Sequence, residues 1–148
     1  MKISARNQLA ARITGIEKGK VNGNVSLQLP VGCDISATIS MKAIELMNLA
    51  PDKTVYAVVK ATDFIIARRP PKSTVWHYTH RFLSGVGEGA VNGMVFLDIG
   101  RGQQISSTIS MEAIRELGLK KGMEAFAVFK STSVMIGLEL DHISFGLM

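Results

Sequence analysis

Thr38-Ile39-Ser40-Met41-Lys42-Ala43-Ile44-Glu45-Leu46 is written a second time, seventy positions later, as Thr108-Ile109-Ser110-Met111-Glu112-Ala113-Ile114-Arg115-Glu116. In each copy an alternating polar and apolar run reaches a serine and then a series of good helix formers. That is the pattern of a strand ending where a serine-capped helix begins. The spacing predicts one short helix per copy, capped by Ser40 or Ser110 and, in the second copy, stopped by Gly118.

The same offset aligns Gly15 with Gly85, Gly19 with Gly89, Val21-Asn22-Gly23 with Val91-Asn92-Gly93, and Ile35-Ser36 with Ile105-Ser106. It continues without a gap through Ala57-Val58 with Ala127-Val128, Lys60 with Lys130 and Thr62 with Thr132. Roughly two-fifths of the positions from Ile13 to Ala67 are identical in the two copies, so the chain is a tandem repeat.

Period-two alternation predicts strands at Arg12 to Glu17, Val25 to Leu29, Ile35 to Ile39, Val55 to Lys60 and Phe64 to Ala67, with counterparts in the second copy. Five strands and one helix per copy predict a mainly β fold of two tandem OB-like Greek-key barrels, each with one short α-helix. Gly23 and Gly93, beside Asn, are expected to permit tight turns or bulges. The expected boundaries are a first domain at 1–68, a linker at 69–73, a second domain at 74–142 and a tail at 143–148. Units of this size lie near the limit of about 40 to 65 residues where folds become marginal, so association is expected.

Of the 148 residues, 47% are apolar and 20% charged, which suits a packed core rather than a disordered tail. The single Cys33 excludes an intramolecular disulfide, and Met1-Lys2-Ile3-Ser4 opens no signal pattern, so the expected location is the cytoplasm. No apolar run approaches the roughly 20 residues needed to cross a bilayer as a helix. The net charge of +5 is compatible with nucleic acid, acidic lipid or small anions and selects none of them. The densest basic cluster, Arg68-Arg69-Pro70-Pro71-Lys72, reads as a solvated linker because paired prolines favour extended backbone.

Catalytic constellations are absent: no Ser-His-Asp order, paired carboxylates or Gly-rich phosphate loop stands out. His77 and His80 have helical spacing but lack the third and fourth ligands that zinc usually takes, and His142 is isolated, so no metal cation is expected. The duplicated polar residues are Asn22, Thr38, Ser40, Lys60 and Thr62 with Asn92, Thr108, Ser110, Lys130 and Thr132. Hydroxyls, amides at a helix start and a lysine are all donors and together suit an oxyanion. Each also has an ordinary structural reading, since serine commonly caps helices and a lysine after an apolar strand commonly ends it. A nucleic-acid-binding or regulatory sensor module acting through a partner is the alternative reading. Single-strand binding calls for aromatic platforms among basic residues, whereas aromatics make up only 6% and do not alternate with basic ones.

The N-terminal phrase Ser4-Ala5-Arg6-Asn7, the run Lys18-Gly19-Lys20-Val21-Asn22-Gly23, the Thr-x-Ser helix start and Val58-Val59-Lys60-Ala61 together resemble the molybdate-binding Mop (TOBE-like) domain. Two in tandem resemble the di-Mop molbindins over nearly the whole chain. The resemblance implies small OB-like barrels that trade strands and assemble as homo-oligomers, namely trimers, holding molybdate or tungstate at barrel interfaces as cargo. It implies no redox or organic cofactor, no nucleic acid and no membrane, and a role in molybdenum storage and homeostasis rather than an enzyme activity. It assigns oxyanion contacts to Ser4, Ala5, Arg6, Asn7, Ser40, Lys60, Ala61 and Thr62, and in the second copy to Ser110, Lys130, Ser131 and Thr132. Sites near a symmetry axis would draw on Gly19, Lys20, Val21 and Asn22 and on Gly89, Ala90, Val91 and Asn92. One departure stands out: Thr74-Val75-Trp76-His77 replaces Ser-Ala-Arg-Asn in the second copy, leaving either Arg81 to compensate or Trp76 to fill an interface.

Overall fold

The computed structural model describes residues 7–30, 34–70 and 76–138. In the first copy the strands are β1 (Asn7–Lys18), β2 (Asn22–Gln28), β3 (Asp34–Ser40), β4 (Thr54–Val59) and β5 (Ile65–Ala67), with helix α1 (Met41–Leu46) between β3 and β4. The second copy repeats this order as β6 (Trp76–Gly87), β7 (Asn92–Gly100), β8 (Gln103–Ser110), α2 (Met111–Leu117), β9 (Glu124–Lys130) and β10 (Met135–Gly137). One short helix per copy therefore falls where the repeated phrase places it. A single 3-10 turn, Ala61–Asp63 or Ser131–Ser133, which the apolar pattern does not signal, separates the last two strands of each copy.

Both caps are made as expected. The Ala43 N–H donates to Ser40 Oγ and the Ala113 N–H to Ser110 Oγ, each at 3.1 Å. Gly118 closes α2 in the left-handed region at φ 61°, and Asn48, at the same place in the first copy, adopts φ 52°. Asn is the non-glycine residue best suited to that region, so one backbone path is kept with two different residues.

The strands form two five-stranded antiparallel sheets. Within each, the fourth strand returns beside the first, in the spatial order 4-1-2-3 of a Greek key. The outermost strand of each sheet comes from the other copy: β10 pairs with β4 through Ile136 and Ala57, and β5 pairs with β9 through Ile66 and Ala127. The resemblance implied strand trading, and here it occurs inside one chain. Burial follows the period of two expected for strands, with Leu9, Ala11 and Ile13 in β1, Val25 and Leu27 in β2, and Val95, Leu97 and Ile99 in β7. The buried residues of both copies merge into one core. Phe64 of the first copy meets Phe129 of the second edge to face, with ring centroids 5.4 Å apart. Such a pair contributes about 0.5–1.5 kcal/mol beyond its buried area.

Each long first strand carries a bulge at the same place, between Ile13 and Gly15 and between Leu83 and Gly85. The bulged Thr14 and Ser84 hydroxyls donate to the carbonyls of Ser26 and Phe96, each at 3.3 Å. Gly23 and Gly93 serve neither as turn nor as bulge residues, contrary to the expectation from the Asn-Gly pairs. Both are buried inside β2 and β7, where the helix lies directly on the strand. A Cβ on Gly93 would stand 2.5 Å from Ile114 Cδ1 and 2.8 Å from the Gly87 carbonyl oxygen. Ile114 could turn away, but the backbone oxygen could not. Gly93→Ala is accordingly expected to lower stability by about 1–3 kcal/mol through overpacking, read from the shift in the urea midpoint.

Candidate functional site

The two turns that follow β4 and β9 carry the repeated lysines and threonines, and each packs on the opposite copy. The first turn, Lys60-Ala61-Thr62-Asp63, lies against β8, and the second, Lys130-Ser131-Thr132-Ser133, lies against β3. Strand exchange is the cause: the chain must cross between copies to reach β5 or β10, and the turn lies on the crossing.

The first crossing is held by buried bonds. Asn7, only 1% exposed, donates through Nδ2 to the Val59 carbonyl at 3.1 Å and to the Ser106 carbonyl at 2.9 Å. Its Oδ1 accepts from the Ser106 N–H at 2.8 Å. On the far side of the turn, the fully buried Ser107 hydroxyl donates to the Phe64 carbonyl at 2.8 Å. The Lys60 turn is thus bracketed by two cross-copy locks. Within it Asp63 N–H closes on the Lys60 carbonyl at 2.9 Å, leaving Lys60 and Thr62 exposed and Ala61 buried.

At the second crossing side-chain hydroxyls meet one another. Thr38 Oγ1 donates to Asn24 Oδ1 at 2.6 Å and lies 2.8 Å from Ser131 Oγ. Ser40 stands two residues further along β3, opposite Asn22 in the ladder, and Ser110 stands opposite Asn92. The structure therefore brings the Thr38 strand to the second copy's lysine turn rather than to its own. The matching threonine in the second copy, Thr108, donates to the sulfur of Met94 at 2.8 Å.

At each helix start two of the first amides are already used. The Met41 N–H donates to the Val21 carbonyl and the Met111 N–H to the Val91 carbonyl, both at 2.8 Å, and the Ala43 and Ala113 amides are taken by the caps. A serine hydroxyl that accepts a cap bond still has its hydrogen to donate, and Ser40 and Ser110 are exposed.

The hairpin connections Gly19-Lys20-Val21 and Gly89-Ala90-Val91 are exposed and, with Asn22 and Asn92, border one cleft per copy. The first cleft measures about 150 Å³ and is lined by Glu17, Lys18, Asn22, Asn24 and Thr38. The second measures about 410 Å³ and is lined by Glu88, Asn92, Met94, Phe96 and Thr108. Val21 and Val91 stand 74% and 75% exposed at the tips of these connections.

Ser4, Ala5 and Arg6 lie outside the described residues. Asn7 places the end of that phrase beside Val59, the residue before Lys60, and its side chain is held there by three hydrogen bonds. The contacts assigned from the sequence leave out Ser107, Lys18 and Asn24; all three differ between copies, so a search for repeated residues passes over them. The Trp76-to-His80 segment opens strand β6, so the helical spacing of His77 and His80 has no helix to act on. Among the described residues no group of three His, Cys, Asp or Glu could hold a metal cation, and no helix is long and apolar enough to cross a membrane. Within the basic linker, Arg68 donates to the Leu117 carbonyl at 2.9 Å, at the negative end of α2.

A TOBE-domain model matches residues 3–66 and 84–136. The chain is 33% identical to the molybdenum transport protein ModE of Azotobacter vinelandii, over 93% of this chain and 52% of that protein. It is 30% identical to the molybdenum-pterin-binding protein MopA of Rhodobacter capsulatus, over 93% of this chain and 53% of that protein. The chain thus spans about half the length of these curated relatives. Among solved structures, the cytoplasmic molybdate-binding protein ModG, with molybdate bound, superposes with a TM-score of 0.89 at 33% identity, over 94% of this chain and 100% of that one.

The Asn7 bracket generates a stability prediction. Asn7→Ala strips partners from the Ser106 N–H and from the Val59 and Ser106 carbonyls, and is expected to cost about 2–4 kcal/mol in denaturant unfolding.

Proposed function

The chain belongs to the TOBE-domain family, and from that premise we propose that it binds molybdate or tungstate as cargo, without chemical transformation. The observation that carries this reading is the meeting, at each crossing between copies, of a lysine turn with a strand rich in hydroxyls. It occurs in a fold that superposes along nearly its whole length on a protein with molybdate bound. Molybdate is a tetrahedral dianion with four acceptor oxygens, so it calls for many donors and a limited positive charge. Lys60, Thr62 and Ser110 offer these at one crossing, and Lys130, the Ser131 amide, Thr132 and Ser40 at the other. Arg6, which precedes Asn7 in the sequence, is the guanidinium that the family resemblance adds to this set. Release is by equilibrium, which suits storage and buffering in the cytoplasm, where ModG acts.

Assembly belongs to the same reading. Val21, Val91 and Leu46 are each about three-quarters exposed, a large apolar exposure for residues with no assigned partner. A homotrimer would bury Val21 and Val91 and bring the turns of three chains together. The oligomer is checked by light scattering, where Val21→Asp with Val91→Asp is expected to yield monomers.

Binding is tested by calorimetric titration with molybdate. Lys60→Ala and Arg6→Ala are each expected to weaken affinity by about ten- to a hundredfold, the loss of one charge-assisted hydrogen bond, with thermal stability little changed. Unchanged affinity in both variants would remove the first crossing from the site.

A further inference from the structure

The two clefts beside the hairpin connections occupy the same place in each copy, yet their walls have diverged. Lys18 of the first is replaced by Glu88, Lys20 by Ala90, Asn24 by Met94 and Ser26 by Phe96. Segment 17–20, with Glu17, Lys18 and Lys20, carries a net positive charge of one, and segment 87–90, with Glu88 alone, carries a net negative charge of one. Both clefts retain the glycine, the asparagine at the start of the second strand and the threonine on the third. The backbone frame is therefore kept while the chemistry is reversed.

The hydrogen-bond order sharpens the contrast. Thr38 has one hydroxyl hydrogen and gives it to Asn24 Oδ1, so at 2.8 Å Ser131 is the donor to Thr38. That chain, running from the second copy's lysine turn into the first copy's cleft, fixes the amide oxygen of Asn24 inward. It leaves the NH2 group of Asn24, a residue that lines the cleft, to donate. In the second copy the relay cannot form: Ala61 stands where Ser131 would be, and Thr108 gives its hydrogen to the Met94 sulfur. Met94 and Phe96 then present apolar surface in a cleft about 410 Å³ in volume, too open to grip a small ion from several sides. A dianion there would lose hydration for a single side-chain amide donor, Asn92, and would face the Glu88 carboxylate.

We propose that the clefts are functionally unequal: the Gly19 cleft takes an oxyanion through Lys18, Asn22 and Asn24, while Glu88 and Met94 make the Gly89 cleft reject it. This inference rests on the oxyanion-binding reading above. Asn24 is a contact residue in it, and Thr38 and Ser131 are positioning residues that act through Asn24.

The test uses the full chain, titrated with molybdate by calorimetry and counted by native mass spectrometry, with thermal melts to confirm folding. Lys18→Glu with Asn24→Met writes the second cleft into the first and is expected to lower the anion count. Glu88→Lys with Met94→Asn does the converse and is expected to raise it. Ser131→Ala is expected to weaken the affected class of sites by about tenfold, and Ser131→Thr to restore it, which loss of packing alone would not do. Wild-type binding with the count unchanged in both double variants would overturn the inequality while leaving the oxyanion reading standing. A wild-type chain that binds no molybdate would overturn both.

Discussion

Each sheet of this protein lacks its outermost strand until the other copy supplies it. A copy of under seventy residues has too little interior to stand well alone, and an unpaired β4 or β9 would leave a row of backbone donors and acceptors without partners. Exchange of β5 and β10 meets both needs at once, adding a strand to each sheet and joining two small cores into one. The rest of the molecule follows from that exchange. The crossings fix where the lysine turns lie, and the turns fix which strand each lysine faces.

The crossings also show how one duplicated sequence can be held in two ways. At the first, the locks are buried and belong to the scaffold: Asn7 to Ser106 and Ser107 to Phe64. At the second, the lock is the Ser131, Thr38 and Asn24 chain, made by side chains that border the cleft itself. Buried polar bonds resist loss because breaking them strands groups away from water, whereas hydroxyl chains near the surface can be rewritten one residue at a time. Both kinds differ between the copies: His77 and Ala37 stand where Asn7 and Ser107 would, and Met94 and Ala61 stand where Asn24 and Ser131 would. Asn24 against Met94 and Lys18 against Glu88 alter what a cleft offers without disturbing the Gly23 and Gly93 packing beneath it.

Much of the fold was legible from local patterns. Alternation marked the strands, Ser40 and Ser110 marked the helix starts, and the seventy-residue offset marked the duplication, because each depends on residues close together in the chain. The reading failed where distant backbone decided the matter. Gly23 and Gly93 looked like turn glycines beside Asn, but their need for glycine comes from the helix pressed against them. Asn7 stands in the phrase assigned to the oxyanion, and only the fold shows that its buried side chain also ties Val59 to Ser106 through three hydrogen bonds.

The candidate site was legible as a list of residue types and not as groupings. Repetition picks out Ser40, Lys60, Ser110 and Lys130 as donors, and a duplicated sequence invites their assignment copy by copy. Only the tertiary structure decides that β3 with Thr38 faces the Ser131 turn of the other copy, because that contact depends on where the chain crosses and no local pattern encodes a crossing. The sequence by itself determined the elements, their duplication and the donor chemistry, all properties of neighbouring residues. Which donors meet, and how the two clefts differ, was settled by contacts between residues some ninety positions apart.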